Sequence, residues 1–145
     1  MKYKTQDEET SKNNPYLEDI IDLLVLNKQF MYAIDSENKK KECYKMGSYA
    51  NRLRCNHDSL IKLAISLNSE HVEPTFTVEF SPIESAKDLK DYEEKYYNML
   101  KEIAENAMED KEVEVAAYLF DMIRKFEHYF CTLNENNVPR ETGSE

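Results

Sequence analysis

The sequence predicts an all-α protein, an antiparallel four-helix bundle made of two helical hairpins. Its 145 residues suffice for one domain and include only two glycines, which leaves little material for the tight turns of a β-sandwich or barrel. Charged residues form 33% of the chain and hydrophobic residues 41%, a balance typical of long helices with one apolar face. Apolar residues also recur every three or four positions along four separate stretches, the spacing of one face of a helix.

The first hairpin is predicted at residues 15–40 and 42–67. Asn14 is the expected N-cap of the first helix, and Pro15 fits its first turn, where the missing N–H costs nothing. Only a few residues separate the two stretches, so they must form neighbouring helices joined by a tight turn. The apolar positions that define them are Leu17, Ile20, Ile21, Leu24 and Met31, followed by Met46, Ala50, Leu53, Leu60, Ala64 and Leu67.

Residues 68–82 change pattern and predict a long crossover between the hairpins. Their apolar residues alternate with polar ones around Pro74 and before Pro82, so this is also the one stretch that could form a strand. When extended, about 14 residues reach roughly 45 Å, the length of a helix of about 28 residues. The second and third helices can therefore point in the same direction.

The second hairpin is predicted at residues 82–109 and 112–134, which completes a bundle over residues 15–134. Ser81 as a cap and Pro82 in the first turn mark its beginning. Residues 1–14 are expected to be a disordered N-terminal segment, and residues 135–145 a flexible tail. The apolar positions of this hairpin are Leu89, Tyr92, Tyr96, Leu100, Ile103 and Ala107, followed by Val115, Ala116, Leu119, Ile123, Phe126, Phe130 and Leu133.

The net charge of −10 favours cations or a basic protein as partners and disfavours nucleic acid, whose binding requires a basic surface. The charge is unevenly divided, because residues 37–54 carry a net +4 and residues 84–114 a net −6. This division either docks the hairpins on each other or creates a head-to-tail contact between copies, so we expect a homodimer or larger homo-oligomer. Because no stretch is apolar enough for a signal peptide or membrane span, we expect a cytoplasmic protein without a membrane partner.

Five polar residues fall on or beside the helix faces that should point inward. They are Asn27, Asn56, His57, Glu93 and Glu127. An unpaired carboxylate in a helical core is costly, so the two glutamates must be paired, protonated, metal-bound or partly exposed at the bundle edge. The histidine can equally be a core residue whose hydrogen bonds are satisfied. Two carboxylates and one imidazole from three helices are nevertheless ligand types that iron and manganese accept.

The second hairpin resembles that of the ferritin-like superfamily, in particular small rubrerythrin-type proteins. The resemblance is carried by residues 92–105, YEEKYYNMLKEIAE, and residues 115–130, VAAYLFDMIRKFEHYF. The first hairpin is a weaker copy of the same unit at an offset of 71 residues, which aligns Tyr49 with Phe120 and residues 54–57 with residues 125–128. The resemblance implies a ferritin-like bundle with an internal repeat and a long central crossover.

The resemblance also implies a dinuclear iron or manganese site made of four carboxylates and two histidines, with a Glu-x-x-His motif on two helices. The chain departs from this set. Its fourth-helix motif keeps Glu127 but has Phe130 at the histidine position, and the second helix has Asn56 and Ser59 in place of both ligands. The first helix offers Asn27 where a glutamate is expected.

Two carboxylates cannot balance two divalent cations, so a dinuclear centre is not expected. At most a mononuclear iron or manganese site remains, formed by Glu93, Glu127 and His57, with Glu94 replacing Glu93 if the helix is rotated. Alternatively, Asn27 and Asn56 donate hydrogen bonds to the two glutamates in a polar layer without metal.

Two functions follow from these alternatives. The first is a ferritin-like protein with a reduced metal site, linked to metal or oxidative-stress handling. The second is a metal-free acidic bundle that acts as scaffold, adaptor or inhibitor of a basic partner. A third function, that of a hydrolytic enzyme, has little support, because the chain contains no nucleophile elbow, no HExxH motif and no acid pair at catalytic spacing. We assign no catalytic residue.

Overall fold

The computed structural model describes residues 14–41, 44–79, 86–130 and 133, and within them the protein is a helical bundle. Four α-helices follow in order: α1 (Leu17–Lys41), α2 (Tyr44–Leu67), α3 (Ala86–Glu109) and α4 (Val113–Phe126). A 3-10 turn, Glu127–Tyr129, continues from the last helix. The described ranges contain no strand, so the predicted all-helical class is confirmed.

The helix boundaries that lie within the described residues agree with the prediction to within two residues, except at the end of the fourth helix. The fourth helix was expected to reach residue 134, but α4 ends at Phe126, where the chain tightens into a 3-10 turn as helix ends often do. Residues 71–79 of the crossover are irregular and do not form the strand that their alternation permitted. The predicted start of the third helix, the predicted disordered segment before Asn14 and the predicted tail lie outside the described residues.

The start of α1 is fixed by the predicted cap. The backbone N–H of Tyr16 donates to Asn14 Oδ1 at 2.7 Å, and the N–H of Leu17 donates to the Asn14 carbonyl at 3.1 Å. These bonds satisfy N–H groups that the first helical turn cannot pair internally. The amide of Asn14 also donates to Glu112 Oε1 at 2.9 Å, which ties the start of α1 to the start of α4.

Each helix packs against two neighbours: α1 contacts α2 and α3, and α4 contacts α3 and α2. The N–H of Asn14 donates to the carbonyl of Leu67 at 3.2 Å, so the chain before α1 meets the last residue of α2. The hydroxyl of Tyr16 donates to Asp110 at 2.6 Å, in the turn between α3 and α4. One end of the bundle therefore holds the start of α1 and the α3–α4 turn, and α1 leads from there to the α1–α2 turn.

An aromatic cluster fills the core. Phe30, Tyr49, Tyr96 and Phe126 come from the four different helices and are completely buried. The ring centroids of Tyr96 and Phe126 lie 5.2 Å apart, and those of Phe30 and Tyr49 lie 5.5 Å apart, both in edge-to-face contacts. Such contacts add to the free energy gained by burying the rings, so this cluster is a main link between the helices.

No helix in the described ranges is long and apolar enough to cross a membrane.

Candidate functional site

Glu93 is one of two carboxylates buried in the described part of the bundle, the other being Glu37 near the end of α1. Glu93 lies on α3 with 6% of its surface exposed, and the hydroxyl of Tyr49 on α2 donates to its Oε2 at 2.6 Å. Lys90 Nζ lies 3.6 Å from Oε1, one helical turn earlier. Burial raises the pKa of Glu93, while the Tyr49 hydroxyl and the Lys90 charge act in the opposite direction. The expected inward position of Glu93 is confirmed, and its main partner is a phenol.

Glu127 lies on the surface. It was expected beside Ile123 and Phe130, either inward or partly exposed at the bundle edge. The exposed alternative is the one found, because Glu127 is rotated by about 100° from the buried Phe126 and lies at the edge of the apolar face. Tyr97 on α3 donates its hydroxyl to Glu127 Oε2 at 2.8 Å. That hydrogen bond raises the pKa of Tyr97, because the carboxylate favours the protonated phenol.

A shallow cleft of about 330 Å³ runs along the first half of α3, next to the 3-10 turn. The rings of Tyr97 and Phe130 meet edge-to-face, with centroids 4.8 Å apart. Because Glu93 lines this cleft and Tyr97 bonds Glu127, the structure brings the two predicted carboxylates to one region, linked through α3. The cleft is lined by Lys90, Asp91, Glu93, Glu94, Tyr97 and Phe130.

His57 lies elsewhere. Its ring packs against Phe76 of the crossover, with centroids 6.3 Å apart, and its Nε2 is buried without a hydrogen-bond partner in the described structure. Burial and the nearby charge of Lys28 lower its pKa, partly offset by Asp58. His57 follows Tyr49 by eight residues, about 12 Å along α2, so it does not face Glu93. Among the described residues no three His, Cys, Asp or Glu side chains are grouped to hold a metal ion.

The two asparagines are fully buried, as expected for Asn27 and more deeply than the edge position expected for Asn56. They do not donate to the glutamates. Asn27 Nδ2 donates to the carbonyl of Leu53 at 3.0 Å, and Asn56 Nδ2 donates to the Tyr96 hydroxyl at 3.1 Å. The Oδ1 atom of each amide is buried without a partner in the described structure. These bonds form a neutral polar layer between α1, α2 and α3.

The tyrosines that partner these groups were not among the predicted site residues. Tyr96 was assigned to an apolar stripe, and Tyr49 and Tyr97 were given no role in the interior. A phenol that becomes buried usually needs a hydrogen-bond partner, which is the signal that could have revealed Tyr49 and Tyr96. The burial of the two hairpins does not fit the predicted repeat at an offset of 71 residues, because Tyr49 is completely buried whereas its counterpart Phe120 is 36% exposed. An offset of 70 aligns the buried Tyr49 with the buried Leu119.

The chain matches no protein-family model, no curated protein and no solved structure in the three comparisons made. Its function must therefore be argued from its own contacts. The described interior contains two polar groups of interest. One is the Glu93 carboxylate with its phenol and ammonium partners, and the other is the pair of neutral amides of Asn27 and Asn56. Both are hydrogen-bonding arrangements within the protein, and neither presents an acid, a base and a nucleophile together.

Proposed function

We propose that the protein is an antiparallel, ferritin-like four-helix bundle with a metal-free interior, and that it acts through its acidic surface on a basic partner. The helix order is supported by the contacts at the start of α1, which meets the end of α2 and the turn between α3 and α4. It is further supported by the bond between Tyr49 and Glu93, each near the beginning of its helix, as expected if α2 and α3 run in the same direction.

The observation that carries the metal-free proposal is the 2.6 Å hydrogen bond from Tyr49 to Glu93. A carboxylate that ligates iron or manganese directs its lone pairs at a cation, whereas Glu93 directs one oxygen at a phenol and the other at Lys90. The corresponding positions on α1 and α2 hold Asn27 and Asn56, which bring no charge to balance a cation. The buried carboxylate is thereby stabilised by the protein's own donors.

The acidic surface is the remaining feature with clear recognition chemistry. We define the acidic end as residues 105–114, the last turns of α3 and the first turn of α4, with a net charge of −4. Glu109 and Glu114 are exposed there, close to the exposed apolar side chains of Met108 and Val113. A Lys- or Arg-rich protein segment with some apolar residues matches this combination of charge and apolar area.

A mononuclear iron or manganese site is the second candidate. One observation favours it. Glu93 and Tyr97 line the same cleft, and Tyr97 bonds Glu127, so two carboxylates lie near one opening. Elemental analysis after reconstitution with Fe(II) or Mn(II) separates the candidates. We expect no stoichiometric metal in the wild type and no difference from Glu93→Gln. One metal per chain in the wild type, lost in Glu93→Gln, would overturn the metal-free proposal.

Binding to the acidic end is tested with a fluorescent Lys- and Arg-rich peptide, by anisotropy at low and high salt. The variant Glu109→Gln/Glu114→Gln should bind the peptide several-fold more weakly than the wild type at low salt. The matched control Asp91→Asn/Glu94→Gln removes the same charge from exposed residues at the beginning of α3, and it should bind almost as tightly as the wild type. Equal weakening in both variants would show that only net charge matters.

A further inference from the structure

The two hairpin turns of the protein carry opposite charges at opposite ends of α1. The acidic end is held at the start of α1 by the bonds from Asn14 to Glu112 and from Tyr16 to Asp110. We define the basic end as residues 37–54, the last turn of α1 and the first half of α2, with a net charge of +4. Because α1 has 25 residues, its two ends are about 37 Å apart, too far for the two turns to neutralise each other within one copy.

Both ends also expose apolar side chains. At the acidic end Met108 is 58% exposed and Val113 is 71% exposed, and at the basic end Tyr44 is 88% exposed. Tyr44 stands beside a groove of about 740 Å³ on the surface of α1 and α2. Arg54 forms part of its wall and pairs with Asp35 at 2.6 Å. The groove is lined by Asp35, Asn38, Tyr44, Gly47, Ser48, Asn51 and Arg54.

We propose that the acidic end of one copy docks on the groove at the basic end of a second copy. Met108 and Val113 then cover Tyr44, and the carboxylates around them meet the cations that are exposed at the basic end. These are Arg54, which lines the groove, and Lys39 and Lys45, which follow the groove residues Asn38 and Tyr44 in the chain. This inference rests on the proposed function, in which the acidic surface recognises a basic partner, and it identifies that partner as another copy of the chain. The complementary charges of the two ends are the reason to choose a second copy.

The two docking surfaces are different, so the contact is heterologous. A copy whose acidic end is occupied still offers its basic end, and association continues into a ring or an open chain of copies. A two-fold dimer would instead bury the same surface on both subunits and stop at two. The contact combines burial of apolar side chains with attraction between exposed charges, so it requires both parts, and it weakens as salt is added.

Gly47 offers a way to block the groove without changing charge. A Cβ atom built at Gly47 meets only Asn38 Nδ2, at 3.7 Å, an ordinary van der Waals distance, so a larger residue fits on the helix there. Gly47→Gln therefore places a side chain at the wall of the groove, where it obstructs docking, and glutamine also favours a helix more than glycine does. Met108→Ser/Val113→Ser removes the apolar contact at the acidic end. Phe120→Ser, at a 36% exposed position in the middle of α4, is the matched control.

The test is sedimentation velocity at about 50 mM and about 500 mM NaCl. We expect the wild type and Phe120→Ser to form species larger than a dimer at low salt and to dissociate at high salt. Gly47→Gln and Met108→Ser/Val113→Ser should each remain monomeric when alone. An equimolar mixture of the two should form dimers and nothing larger, because each variant retains the surface that the other lacks.

A wild type that is monomeric at low salt would overturn the inference, as would variants that assemble alone or a mixture that stays monomeric. Circular dichroism and urea midpoints establish that each variant is folded, so loss of assembly cannot be mistaken for unfolding. The basic peptide distinguishes a failure of the head-to-tail contact from a failure of the proposed function. Peptide binding at the acidic end without self-association refutes the head-to-tail contact alone, whereas the absence of both refutes the proposed function as well.

Discussion

Replacing Tyr49 by phenylalanine removes the hydroxyl that donates to the buried Glu93 and leaves the ring of the aromatic cluster in place. Among the described residues the carboxylate then retains Lys90, whose ammonium lies 3.6 Å away and whose side chain is 46% exposed. A hydrogen bond to a charged group contributes about 1.5–3 kcal/mol when it is buried. We therefore expect Tyr49→Phe to lower the free energy of unfolding by about 2 kcal/mol at pH 8, and the melting temperature by about 5 °C.

Glu93→Gln provides the matched perturbation. Glutamine still accepts the Tyr49 hydroxyl but avoids the cost of burying a charge, so this variant should be at least as stable as the wild type at pH 8. In its background, Tyr49→Phe removes a neutral hydrogen bond worth about 1 kcal/mol. The double-mutant cycle should thus give a coupling energy of about 1 kcal/mol.

The pH dependence follows from the raised pKa of Glu93. The folded protein holds the proton of Glu93 more tightly than the unfolded chain does. The proton therefore contributes its whole stabilisation of the wild type, relative to Glu93→Gln, below the ordinary glutamate pKa of 4.5. This stabilisation is lost as the pH rises through the raised pKa of the folded state. The cost of Tyr49→Phe should grow over the same interval, since the hydroxyl bonds the ionised carboxylate more strongly.

Urea unfolding followed by far-UV circular dichroism, at a series of pH values between acid and pH 8, measures all four proteins. The role of the Tyr49 hydroxyl would be refuted if Tyr49→Phe stayed within about 0.5 kcal/mol of the wild type at pH 8, the range typical of a surface substitution that removes no contact. A stability difference between the wild type and Glu93→Gln that did not change with pH would refute the raised pKa.

Three further predictions concern the core and the histidine. Asn27→Leu should leave the free energy of unfolding in urea unchanged or raise it by about 1 kcal/mol, because an apolar side chain takes the place of a buried amide whose Oδ1 has no partner in the described structure. Asn27→Ala should instead lower it by about 2 kcal/mol, because it leaves a cavity. In NMR spectra His57 should titrate below its ordinary pKa of 6.5, and Lys28→Gln should move that midpoint upward. The buried neutral ring should stabilise the fold above pH 6.5, and this stabilisation should be lost as the pH falls through the lowered pKa. Phe126→Ala, at the centre of the aromatic cluster, should lower the free energy of unfolding by about 3–5 kcal/mol, and a loss below 1 kcal/mol would contradict the importance of that cluster.

Helical periodicity and capping chemistry were enough to predict much of the fold. The positions of Leu24 and Leu53 on apolar stripes predicted their complete burial, and Asn14 predicted the start of α1. The same periodicity predicted that Asn27 points inward, because a helix carries a residue at a fixed rotation from its neighbours whatever their chemistry. These features depend on local geometry, which a single chain segment contains.

The candidate site depended on contacts that no local pattern contains. The bond between Tyr49 and Glu93 joins residues 44 positions apart, and it requires a particular axial register of α2 against α3. Likewise, Glu127 is exposed at the edge of the apolar face and accepts a bond from Tyr97, and His57 packs against Phe76 of the crossover instead of facing Glu93. A shift of one residue rotates a side chain by about 100°, so the rotation and register of each helix against its neighbours decide which polar groups meet.

The amino-acid sequence by itself determined four amphipathic helices, the polar residues within their apolar faces and the separation of charge along the chain. Only the tertiary structure decided which groups those polar residues meet and that the two oppositely charged turns lie at opposite ends of α1. The physical reason is that periodicity and charge are properties of a segment, whereas a hydrogen bond between helices depends on their relative register, direction and points of termination.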